Sequence, residues 1–130
     1  MHWLLYPFIG LIALILLMQL VTVWRAKQTI GRRAPEDDAI AAQTNTAGPR
    51  LYYFYAPNCG PCKAMTPLID RLMASHDNLI KVNVAQSPQL ARDFGISATP
   101  SFVQVEEGII RQVKLGAISE RQVRALLGTP

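Results

Sequence analysis

Cys59 and Cys62 are the only two cysteines of the chain, and they lie three residues apart in the stretch Ala56-Pro57-Asn58-Cys59-Gly60-Pro61-Cys62-Lys63. Beyond them, apolar residues recur at Met65, Leu68, Ile69, Leu72 and Met73. That spacing predicts a helix from about Cys59 to Ser75. Residues i and i+3 share one helix face, so the two sulfurs can meet without dragging the backbone. The first sulfur falls at the helix N-terminus, where unpaired N–H groups and the macrodipole favour negative charge. A thiolate favoured in this way is a nucleophile. Pro61 suits the first helical turn, where no N–H is missed, and with Gly60 it sets the geometry between the sulfurs.

Two other uses of the pair are weaker. Closing so small a loop removes little unfolded-state entropy, which makes a poor staple. A zinc site wants four ligands, and the only histidines are His2 and His76, so one pair per chain could hold metal only across a dimer. Redox exchange is the expected chemistry, with no metal site and no organic cofactor; a shared metal and a vestigial pair are the alternatives.

The elements that must position these sulfurs follow from pattern and punctuation. Arg50 to Ala56, "RLYYFYA", is a nearly continuous apolar run between Pro49 and Pro57, as expected of a strand buried on both faces. "NLIKVNVA" predicts a second strand, and "SPQLARDFG" a short helix begun at Ser87 and closed at Gly95. "SFVQVEE" and "IIRQVKL" read as a hairpin turning at Glu107-Gly108. "SERQVRALLG" predicts a closing helix with Ser119 and Gln122 in capping-box positions. The order β-α-β-α-β-β-α implies an α/β domain, a mixed central sheet flanked by helices on both faces.

Ahead of this domain the composition changes. Half of the chain's residues are hydrophobic and its mean hydropathy is +0.16, an excess concentrated between Trp3 and Trp24. That stretch holds no charged residue, and only Gln19 and Thr22 interrupt it. As a helix it reaches about 33 Å, enough to cross a hydrocarbon core of about 30 Å. Trp3, Tyr6 and Trp24 lie near its ends, where amphipathic rings favour the headgroup level. Residues 1–24 are therefore expected to be one uncleaved transmembrane helix: the run lacks a positive n-region, exceeds a signal-peptide core and is not followed promptly by an Ala-x-Ala site. Arg25, Lys27, Arg32 and Arg33 follow the span, which by the positive-inside rule puts the rest of the chain on the cytoplasmic side. A periplasmic domain is the alternative. Residues 25–48 read as a basic juxtamembrane segment and linker, with a short helix at Glu36 to Gln43. The net charge of +4 includes that basic cluster, and no basic stripe interleaved with aromatics is present, so nucleic acid is not an expected partner.

From about Pro49 to Gly128 the chain resembles a thioredoxin. The Cys-Gly-Pro-Cys tetrad followed by Lys63, Pro67 five residues after Cys62, "KVNVAQSPQLARDFGISATPSF" and "KLGAISERQV" match separated motifs of that family in order. The resemblance implies a thioredoxin-like fold in residues 49–130, trimmed at its N-terminal part. It implies a cis bond at Thr99-Pro100, with Thr99, Pro100, Gly116 and Ala117 forming the substrate-docking surface. It also implies disulfide-containing protein substrates, and an electron donor that is a reductase or a membrane thiol carrier. Three positions depart from the family, and a fourth loses its partner. Asn58 and Tyr55 stand where tryptophans are usual, Tyr53 replaces a buried aspartate, and Lys81 aligns with that aspartate's lysine partner and so would lack its carboxylate. Asn58, Tyr53 and Lys81 are thus candidates for tuning the thiol pKa values. The expected function is a thiol–disulfide oxidoreductase held in a bacterial-type inner membrane and reducing protein disulfides. The alternatives are a periplasm-facing oxidase or isomerase, a non-catalytic tethering module, and a metallochaperone.

Overall fold

The computed structural model describes residues 1–35 and 48–128. A 3-10 turn, His2–Leu4, leads into helix α1, Leu5–Gln28. Strand β1, Arg50–Tyr55, is followed by α2, Gly60–Met73, and by β2, Leu79–Asn83. Then come α3, Pro88–Asp93, the strands β3, Ser101–Glu106, and β4, Ile109–Leu115, and the closing helix α4, Glu120–Leu126.

The four-stranded sheet has the order β2-β1-β3-β4. β1 runs parallel to β2 and antiparallel to β3, which is antiparallel to β4, so the sheet is mixed as the element order implies. β1 is central, and its successive side chains enter opposite faces. Leu51 and Tyr53 join Met65, Ile69 and Leu72 of α2 and Val123 and Leu126 of α4 in one core. Tyr52 and Phe54 join Ala91 and Phe94 beside α3 in the other. Both faces need apolar residues, which is why β1 reads as an unbroken run. Tyr53, Phe54 and Phe102 are fully buried, each stabilising the fold by about 1.5–3 kcal/mol relative to exposure.

The turns follow local chemistry. Glu107 and Gly108 both have positive φ, 54° and 75°, the backbone of a tight hairpin whose twist suits the flanking strands. Ser119 caps α4 in a complete capping box with Gln122. Ser87 occupies the N-cap of α3, as expected, although its hydroxyl makes no capping bond. Asn83 builds that turn instead: its Oδ1 accepts from the Ala85 N–H at 2.9 Å, and its carbonyl accepts from the Ser87 N–H at 2.9 Å.

Part of the stretch read as linker is structured. Arg25–Gln28 continue α1, and the chain then turns through Gly31 at φ 88°. Arg33 bridges antiparallel to Ile109. The helix expected at Glu36 to Gln43 lies outside the described residues. From Trp3 to Arg25 every side chain is exposed, so the apolar surface of α1 has no protein cover.

Candidate functional site

Cys59 ends the connection from β1 and is the N-cap of α2, with φ −91° and ψ 116°, an extended conformation that aims its side chain back over the first helical turn. Its Sγ accepts the Cys62 N–H at 3.2 Å. A sulfur therefore occupies the place of a capping oxygen, and the free N–H groups of the helix end favour its thiolate. Gly60 and Pro61 fill the first turn, where Pro61 gives up an N–H that has no helical partner. The pair is in its disulfide form, with Cα atoms 5.1 Å apart.

The two sulfurs are not equivalent. Cys62 is buried at 1% exposure, whereas Cys59 is only partly covered. A substrate sulfur approaching from solvent meets Cys59 first. The Thr99-Pro100 bond is cis, as the resemblance implies, and the Thr99 carbonyl oxygen lies 3.6 Å from Cys59 Sγ. The Gly116 N–H donates to the Pro100 carbonyl at 2.9 Å, which fixes the turn after β4 beside Pro100. Pro100 is buried, Thr99 and Gly116 are half-buried, and Ala117 is exposed next to them. The fold thus brings Thr99 to Cys59 and ties Gly116 to Pro100 although these residues are far apart in sequence.

The pKa-tuning candidates sit differently from one another. Tyr53 is fully buried, and its hydroxyl donates to the Cys62 carbonyl at 3.2 Å, not to a sulfur. Thr66 Oγ1 donates to the same carbonyl at 2.8 Å and lies 3.4 Å from the Tyr53 hydroxyl. Burial pushes the Tyr53 phenol above its ordinary value, and the Thr66 contact and the Lys81 charge only partly oppose that. At neutral pH the phenol is a neutral donor.

Lys81 corrects the expectation of a lysine without a carboxylate. Its Nζ lies 3.0 Å from Asp70 Oδ1 on α2 and 4.9 Å from the centre of the Tyr55 ring. The ammonium is thereby held by a carboxylate and an aromatic face. Asn58 is exposed in the turn before Cys59 and makes no hydrogen bond to either cysteine among the described residues. Sequence reasoning missed Thr66 and Asp70. Thr66 follows Cys62 by one helical turn, a spacing that could have flagged it; Asp70 had no comparable signal. Among the described residues no cluster of His, Cys, Asp and Glu is arranged to hold a metal ion.

A family model described as Thioredoxin matches residues 36–128. The chain is 28% identical over 95 residues to a thioredoxin of Pseudomonas aeruginosa, covering 71% of this chain and 84% of that one. It is 30% identical over 89 residues to a thioredoxin of Haemophilus influenzae, covering 66% and 83% respectively. The crystal structure of the reduced thioredoxin pre-protein of Schistosoma mansoni superposes with a TM-score of 0.60 at 29% identity, covering 70% of this chain and 86% of that one. With its cysteine pair seated at the start of α2, the chain belongs to the thioredoxin family and is a thiol–disulfide oxidoreductase.

Proposed function

We propose that the protein is a membrane-anchored reductase of protein disulfides, organised as an anchor (residues 1–24), a juxtamembrane segment (25–48) and a redox domain (49–130). Cys59 is the attacking thiolate. It bonds to one sulfur of a substrate disulfide, and the other substrate sulfur leaves as a thiolate. Cys62 then attacks the Cys59 sulfur, the second substrate thiolate departs, and Cys59–Cys62 is left oxidised. Two electrons have passed to the substrate, and a dithiol donor must return them. Thr99, Pro100, Gly116 and Ala117 are the docking surface for the substrate chain around the disulfide. The observation that carries these roles is the asymmetry of the pair: Cys59 Sγ takes the Cys62 N–H at the helix end, while Cys62 itself is 1% exposed.

The anchor reading rests on the length and composition of the helix running from His2 to Arg25, all of it exposed. An apolar helix without protein cover needs another apolar medium. The basic residues that follow it support a cytoplasmic domain in a bacterial-type inner membrane. The Gly-Pro dipeptide, shared with reducing thioredoxins, supports the reducing direction.

Alkylation of intact cells after acid quench, with permeant and impermeant thiol reagents, tests side and direction together. Reduced Cys59 and Cys62 hidden from the impermeant reagent are expected. A pair reachable from outside and mainly oxidised would replace this reading with a periplasmic oxidase.

A further inference from the structure

The segment after α1 is attached to one particular corner of the redox domain. The Gly31 N–H donates to the Ile110 carbonyl at 2.8 Å, the Ile110 N–H to the Arg32 carbonyl at 2.9 Å, and the Ala34 N–H to the Gly108 carbonyl at 2.8 Å. These bonds add a single antiparallel bridge to the outer edge of β4, and Ala34 packs against the core beneath it. Thr29 is 8% exposed, and a Cβ built on Gly95 would meet its Oγ1 at 3.0 Å. The attachment begins almost at once after the span, because Thr29 follows the last residue of α1.

The attached corner is the hairpin end of the sheet. Strand register puts Ile109 beside Glu106 at that end and Leu115 beside Ser101 at the other. The dithiol belongs to the second end, where Ser101 pairs with Phe54 and Gly116 bonds Pro100. The length of β4, about 20 Å at roughly 3.3 Å per residue, separates the two. Arg25, Lys27, Arg32 and Arg33, in or just before the attached segment, are exposed and suit a phosphate-rich surface.

We propose that Thr29–Ala34 is a bracket that seats the hairpin end of the domain on the bilayer surface and holds the dithiol end off it, facing the aqueous phase. The electron donor and the substrates then present their sulfurs from water-exposed protein domains, and a thiol pair embedded in the bilayer is out of reach. This rests on the anchor reading above.

The test uses the full chain in vesicles of mixed zwitterionic and anionic lipid carrying a nitroxide-labelled headgroup. One reporter fluorophore is placed on Cys59 in Cys62→Ser, and another on Glu107→Cys in a Cys59→Ser/Cys62→Ser background. The Glu107 position should be quenched several-fold more strongly than the Cys59 position. In wild-type cysteines, Gly31→Pro, or Ala34→Pro should the first misfold, removes a bracket donor and should leave reduction of a soluble protein disulfide unchanged. In the reporter backgrounds the same change should erase the quenching difference. Equal quenching in the unaltered bracket, or stronger quenching at Cys59, on chains that float with the vesicles overturns the bracket alone. Chains that do not float overturn the anchor reading, and the bracket with it.

Discussion

The hydroxyl of Tyr53 donates to the backbone carbonyl of Cys62 across 3.2 Å, so this buried phenol grips the peptide of the second cysteine and not its sulfur. In the proposed mechanism, resolution of the mixed disulfide at Cys62 needs no side-chain base at Tyr53. A general base contributes roughly 10²–10⁴-fold, so Tyr53→Phe, if Tyr53 were one, would cut turnover by at least about 100-fold. We expect a change of less than about threefold, set against that range, in insulin-disulfide reduction at pH 7. Stability should fall by about 1 kcal/mol in urea, the ordinary net worth of one hydrogen bond.

Tyr53 also gives an alkaline signature. Burial raises its pKa in the folded chain, so the unfolded state loses the phenolic proton first. Its contribution to stability is fully present below the ordinary tyrosine value of about 10 and is lost as pH rises through the folded value. Urea midpoints measured from pH 8 to 11 should decline above about pH 10 in the wild type, and less steeply in Tyr53→Phe.

At the acid end Glu120 is the carboxyl among the described residues with a lowered pKa. Its carboxylate accepts from Arg124 Nε at 3.0 Å and lies 2.8 Å from Arg71 Nη2, and these guanidinium groups, Arg124 foremost, hold its pKa below the ordinary value. A depressed carboxyl stabilises the fold above its unfolded pKa and ceases to do so as pH falls through the folded one. Glu120→Gln should lower the melting temperature at pH 7 and cost less at pH 3 than at pH 7. Equal loss at both pH values would contradict the charge-based account.

Gly95 is tied to Thr29, the residue after α1, by space as well as by conformation. Its φ of 71° favours glycine, and an added Cβ would press Thr29 Oγ1. Gly95→Ala should cost about 1–2 kcal/mol from backbone conformation alone. The displaced Thr29 should also expose the peptide between Arg32 and Arg33, which brief trypsin digestion of the detergent-solubilised chain would detect as faster cleavage.

The proposed span makes its own prediction. Placing Lys at both Ile12 and Leu16 costs about 2.5–3.5 kcal/mol for each charge near the centre of a membrane helix. The double variant should be released from membranes by alkaline carbonate, while wild type stays with the pellet. Release of wild type under the same treatment would contradict the anchor.

Side-chain pattern made much of this architecture legible. The unbroken run of β1 announced a strand covered on both faces, the apolar periodicity from Met65 to Met73 put Cys59 at a helix start, and Glu107-Gly108 and Ser119/Gln122 marked a hairpin and a cap that the structure contains. Contacts without a local signature stayed hidden. Asp70 reaches Lys81 from a different element, and the lysine's identity says nothing about which carboxylate will meet it. The Ser87 hydroxyl is not used as a cap because Asn83 has already organised that turn. The docking of residues 31–34 on β4 is made by main-chain groups, which every residue but proline supplies alike, so a basic and polar stretch reads as linker.

The central claim is the division of labour between the two sulfurs, and trapping tests it most directly. Full-length Cys62→Ser and Cys59→Ser proteins in vesicles are mixed with a disulfide-bonded protein substrate, quenched with acid, and separated without reductant. Cys62→Ser should accumulate a mixed disulfide through Cys59 that a reductant dissolves, and Cys59→Ser should accumulate little or none. A covalent adduct formed chiefly by Cys59→Ser would reverse the roles, and turnover persisting in either variant would contradict the dithiol mechanism itself.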